Sequence, residues 1–144
     1  HIKVDFPISV ITSAIKVSLC LFSDPNIEAI QLGGVLRKTA ASVFGHFAEG
    51  ILDNIAATKL FIGVDGIDLS YGLTTSNTNE GYINQQMIKA AQKVIVLTDS
   101  TKFGKRGFSK ICDFNKVNQI ITDTNAPASY VDVLREKGIE VTLV

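Results

Sequence analysis

Along the chain, short apolar blocks alternate with clusters of Gly, Pro, Asn, Asp and Ser. Residues 8–12 (ISVIT) are rich in β-branched side chains and predict a strand. Ser13 follows where a helix cap belongs, ahead of a helix over 14–22 with Ile15, Leu19 and Phe22 on one face. Ser23-Asp24-Pro25-Asn26 ends that helix. A strand over 27–32 closes on Gly33-Gly34. A helix over 42–55 would carry Phe44, Phe47, Ile51 and Ile55 on one side. Residues 60–64 read as a buried central strand. Asn79 would cap a helix over 80–92 that turns Ile83, Met87 and Ala90 inward. Strands at 94–97 and 120–121, a helix over 128–137 stopped by Gly138 and a strand over 140–143 complete the pattern. Strands alternating with helices predict an α/β fold, a largely parallel sheet with helices on both faces. The chain has no linker, low-complexity tract or fixed-period repeat, so residues 1–144 read as one domain.

The chemistry concentrates in residues 59–80, KLFIGVDGIDLSYGLTTSNTNE. An apolar strand runs into Asp65-Gly66-Ile67-Asp68, then Gly72 and a row of hydroxyl and amide residues ending at Glu80. Ligands of α/β sheets sit beyond the carboxyl ends of strands, where glycine lets the backbone approach closely. This loop therefore reads as one wall of a pocket for a small hydroxylated molecule, with Thr75, Asn77 and Glu80 as partners. Asp65 and Asp68 could form an acid/base pair, cap turns or accept sugar hydroxyls. Turn capping suits Asp68 best, and Asp65 is the better ligand candidate because it directly follows the strand. Lys102, in the second glycine-bearing loop at 98–104, could bind phosphate as a point charge or could be a solvated lysine. Gly33-Gly34 with Arg37 could hold an anion or could be a plain turn.

Composition narrows the classes. Lys plus Arg and Asp plus Glu are 14 each, and this balance gives no electrostatic grip on nucleic acid. The hydrophobic fraction of 46% and charged fraction of 19% belong to a folded globular chain. No stretch reaches the roughly 18 apolar residues of a membrane helix. Cys20 and Cys112 lack paired spacing, which implies buried or half-buried thiols in a cytoplasmic protein rather than a disulfide framework or a zinc site. His46 has no second His or Cys in register with it to complete a metal site. Neither GxGxxG nor GxxxxGK[ST] occurs, and the reading calls for no cofactor.

Taken in order, LGGVLR (32–37), FG (44–45), LFIGVDGID (60–68), YGLTTSNTNE (71–80), QMIKAA (86–91), LTDSTKFG (97–104) and IITD (120–123) resemble the carboxyl-terminal sensor domain of the DeoR-type bacterial transcriptional regulators. The likeness covers nearly the whole chain. It implies a fold similar to ribose-5-phosphate isomerase and a domain that binds a phosphorylated sugar or related metabolite without turning it over. It further implies a homo-oligomer that contacts DNA only through a separate amino-terminal winged helix. Asp65, Gly66 and Asp68 would match the isomerase's acidic loop, and Lys102 a basic pocket residue. The family's Thr-Asn-Ser corresponds to Thr12-Ser13-Ala14, which keeps the hydroxyls of Thr12 and Ser13 but loses an amide. The abrupt start at His1-Ile2-Lys3 is what an amino-terminally truncated fragment would show, without the family's preceding phosphate loop and with a weakened grip on its effector. In the resulting picture Arg37, Lys102 and amides near Gly33 and Gly34 hold phosphate, while Asp65, Thr75, Asn77 and Glu80 hold hydroxyls. Loops 71–79 and 101–108 would be the moving parts. Two rivals remain: an aldose–ketose isomerase using Asp65 or Glu80 as base, and an oligomerisation module with a vestigial pocket.

Overall fold

The computed structural model describes residues 4–144. Its contacts group into two compact units, one ending at Asn54 and one beginning at Ile55. Each is described separately.

In the first unit, β1 (Ile8–Thr12) and β2 (Ile27–Gln31) pair in parallel, Ile8 opposite Ile27, with α1 (Ile15–Leu21) as the crossover. Ser13 does not cap α1. The position before the helix is Ala14, without a side-chain cap, and its amide donates to the Thr12 hydroxyl (3.0 Å). Of the face formed by Ile15, Leu19 and Phe22, Leu19 and Phe22 are exposed, and Leu21 is the buried residue of the helix. The helix expected over 42–55 starts later. Val35–Arg37 (β3) and Ser42–Phe44 (β4) form an antiparallel hairpin, and only His46–Leu52 (α2) is helical. Gly34 makes the hairpin possible, because a Cβ there would overlap the Phe44 carbonyl and φ is +147°. Ala48 and Leu52, rather than Phe47 and Ile51, are the buried residues of α2.

The second unit contains the parallel sheet that the apolar runs predict. Its order is β11-β10-β8-β5, where β5 is Ala57–Gly63, β8 Ala91–Leu97, β10 Gln119–Thr122 and β11 Glu140–Leu143. Helices α3 (Thr78–Ala90) and α4 (Ala128–Glu136) are its crossovers and flank it, an α/β arrangement. Leu134 and Ile120 are fully buried in a core that also takes in Ile62, Val96, Ile88 and Val131. As expected, Gly138 stops α4: at φ +82° its amide returns to the Arg135 carbonyl. The cap of α3 is Asn77 rather than Asn79, and its side chain accepts the Glu80 amide (3.1 Å).

An antiparallel sheet was not anticipated. β6 (Gly66–Asp68), β7 (Gly72–Thr75) and β9 (Ser109–Cys112) lie in the order β6-β7-β9. All four residues of β7 are buried, so most of the stretch read as a polar loop over 71–79 is strand and first helical turn. Of the cysteines, Cys20 is exposed, contrary to expectation, and Cys112 is half-buried with its thiol pushed up to about 11, chiefly by burial. No helix among the described residues is long and apolar enough to cross a membrane.

Candidate functional site

Beyond the end of β5, Asp65 turns back onto β7. Its amide donates to the Thr74 carbonyl (2.9 Å). Its Oδ2 accepts the Thr75 hydroxyl (3.0 Å), the Ser76 amide (2.8 Å) and the Ser76 hydroxyl (2.8 Å). Oδ1 accepts no hydrogen bond among the described residues. Partial burial pushes the carboxyl up, but the Ser76 amide, the Ser76 and Thr75 hydroxyls and the Lys102 charge outweigh it, so the pKa lies below the usual aspartate value. Asp65 is therefore an anion at neutral pH, with one oxygen committed to the scaffold and one still able to accept.

Two further carboxylates build the turn that carries Lys102. The 3-10 turn Ser100–Lys102 follows β8. Asp99 accepts the Thr101 amide (2.9 Å) and hydroxyl, while Asp123, beyond β10, accepts the Ser100 amide (2.6 Å) and the Asn125 amide (2.9 Å). These bonds lower both carboxyls: the Thr101 hydroxyl is the main cause at Asp99, the Ser100 amide at Asp123. Lys102 lies close enough for its charge to act on both Asp65 and Asp99.

Asp68 is used differently. Its Oδ1 accepts the Ser70 amide, the Ser70 hydroxyl and the Tyr71 amide, and Oδ2 takes Arg106, so both oxygens are occupied by the turn and the arginine. Gly66 is a close-approach position, since a Cβ would stand 2.5 Å from the Lys105 carbonyl and 2.6 Å from the Thr74 hydroxyl. Asn77 caps α3, and Glu80 stands half-buried in its first turn.

Asp65, Thr75 and Ser76 are thus joined directly, Asn77 and Glu80 follow at once, and Lys102 is joined through its charge. Thr12, Ser13, Gly33, Gly34 and Arg37 lie in the first unit. The Thr12 hydroxyl accepts the Ala14 amide, and the Ser13 carbonyl accepts the Val43 amide. Gly33 has open space around it, Gly34 serves the β3–β4 approach, and Arg37 ends β3 opposite Ser42. A hollow of about 300 Å³ lies at the amino ends of β1 and β2, lined by Pro7, Ser9, Pro25 and Glu28 among others, and contains none of the candidates. No group of three or more His, Cys, Asp or Glu suited to a metal occurs among the described residues.

Sequence reading overlooked Ser76, the strongest partner of Asp65, and Arg106. Ser76 lies eleven positions from Asp65, and only the return of β7 brings the two together.

The second unit thus sets an anionic aspartate beyond one strand of a parallel sheet and a lysine-bearing turn beyond the neighbouring strand. The chain belongs to the DeoR C-terminal sensor domain family, whose description matches residues 1–124. It is 38% identical over 133 residues to the "Putative aga operon transcriptional repressor" of Escherichia coli O157:H7, covering 92% of this chain and 49% of the relative. The uncharacterized HTH-type transcriptional regulator YulB of Bacillus subtilis is 32% identical over 140 residues, covering 97% and 54%. The HTH-type transcriptional repressor GlcR of the same organism is 31% identical over 133 residues, covering 92% and 51%. The chain spans about half the length of these relatives.

Proposed function

We propose that this chain is the effector-sensing part of a transcriptional repressor of carbohydrate genes, and that it binds a phosphorylated sugar or a related metabolite. A separate HTH domain, of the kind the relatives' names carry, would contact DNA. The observation that carries the reading is Asp65. Three donors and a lysine hold its carboxyl below the ordinary value. In this reading Oδ1 and Glu80 accept sugar hydroxyls, the Thr75–Asn77 segment supports them, and Lys102 faces the phosphate as a compact charge.

The same observation disfavours an isomerase that uses Asp65 as its base. A base that abstracts a carbon-bound proton works best with a pKa near the operating pH, and Asp65 is shifted the opposite way. A thermal-shift panel of sugar phosphates, the parent sugars and inorganic phosphate tests the proposal. At least one sugar phosphate should raise Tm by mass action, the parent sugar should act more weakly, and Lys102→Ala should remove the difference. Equal shifts from a sugar and its phosphate would remove Lys102 from the proposed role. Turnover lost in Asp65→Asn would reinstate the enzyme.

A further inference from the structure

The loop after Lys102 is fastened to the β6–β7 hairpin at several points. The Gly104 amide donates to the Ile67 carbonyl (2.9 Å), and the Gly107 amide donates to the buried Thr74 hydroxyl (2.8 Å). Between them Arg106 reaches back to the hairpin turn. Its Nε and a terminal nitrogen each lie 2.9 Å from Asp68 Oδ2, and it donates to the Ser70 hydroxyl (3.1 Å). Asp68 Oδ1 meanwhile accepts the Ser70 amide (2.9 Å), the Ser70 hydroxyl (2.7 Å) and the Tyr71 amide (3.0 Å), so the carboxylate cannot swing without undoing the turn. The guanidinium also lies 4.5 Å from the centroid of the Tyr71 ring, which Lys110 approaches to 4.9 Å. Fork and flat face are both in use, a combination that lysine cannot reproduce.

We propose that Arg106 is a positioning residue for the effector site: with Asp68 it clamps the loop and holds Lys102 beside Asp65. The proposal rests on reading Asp65 and Lys102 as ligand-binding residues. The amino end of the segment is already fixed, since Asp99 and Asp123 accept the amides of Thr101 and Ser100. Arg106 fixes the other end with a charge-assisted tie, where the Gly104 and Gly107 amides make only single neutral hydrogen bonds. A lysine pinned from both sides loses less conformational freedom when it meets an anion. Removing the clamp should therefore weaken binding while the sheet and its core stay as they are.

Two measurements test this, one of which needs no ligand. Amide hydrogen exchange is compared in the wild-type chain, Arg106→Ala and Arg106→Lys. The alanine variant should speed exchange at Gly104 and Gly107 by about tenfold and leave the core strands β8 and β10 unchanged, with lysine intermediate. Unchanged Gly104 and Gly107 would overturn the clamp. Calorimetric titration with glucose 6-phosphate, ribose 5-phosphate and inorganic phosphate follows. Arg106→Ala should weaken the tightest of these probes by about tenfold, and Arg106→Lys should recover part of that loss. Equal affinity of the alanine variant and wild type would overturn the positioning role and leave the pocket reading intact. Silence of the wild type towards every probe would overturn the pocket reading and this proposal with it. If the alanine variant fails to fold, the lysine variant carries both comparisons.

Discussion

Asp65 receives three of its hydrogen bonds on a single oxygen, which ties its ionisation to the folded state. Its folded pKa is lower than the ordinary aspartate value. The stabilisation is therefore fully present above that ordinary value and is lost as pH falls through the lowered one. Asp65→Asn should be less stable than wild type at neutral pH, and the gap should close as denaturation curves are taken from about pH 7 to about pH 3. A gap independent of pH would mean that the amide–carboxylate contacts, and not the charge, carry the effect. Thr122 makes the opposite case. Its hydroxyl is buried at the end of β10 with no partner among the described residues. Thr122→Val keeps the shape and removes a desolvated polar atom, so it should be neutral or raise stability by up to about 1 kcal/mol in urea denaturation. A loss above about 1 kcal/mol would show that the hydroxyl is satisfied in solution, for example by a buried water.

At the scale of elements, α3 shows what could be read from the sequence and what was missed. Asn77 and Glu80 have the three-residue spacing of a cap and its acidic first-turn partner, yet Asn79, adjacent to Glu80, took the assignment. Asn77→Ala should cost about 1 kcal/mol in thermal or urea melts, and Asn79→Ala less than about 0.5 kcal/mol. Equal costs would return the cap to the fraying first turn. The parallel strands were legible because burial makes them near-continuous apolar runs, as in VIVL of β8. Strands β6 and β7 were not, since they are three and four residues long, rich in glycine and threonine, and held by close backbone approach rather than by an apolar pattern. Helices α1 and α2 failed in another way: periodicity marks an apolar face but does not say what covers it, and Leu19, Phe22 and Phe47 are exposed. For the site, Asp65 and Lys102 followed from their positions at strand ends. Ser76 and Arg106 depend on pairings 11 and 38 residues apart, which no local pattern reports.

At the scale of the whole molecule, the main apolar core runs from Ile62 to Val141 and lies wholly within the second unit. Its partners come from β5, β8, β10, β11, α3, α4 and the β6-β7-β9 sheet, so this unit encloses its own hydrophobic centre. That arrangement predicts that residues 55–144 fold alone, with a cooperative transition. Leu134, fully buried on α4, supplies the measurement. Leu134→Ala should cost about 3 kcal/mol in the whole chain and the same in the isolated segment, because a cavity is felt by the atoms that line it. If the segment melts without cooperativity, or if the two costs differ by more than about 1 kcal/mol, the first 54 residues are energetically part of this core. Equal costs would let the proposed effector site be dissected in the short segment, since Asp65, Thr75, Asn77, Glu80, Lys102 and Arg106 all fall within it.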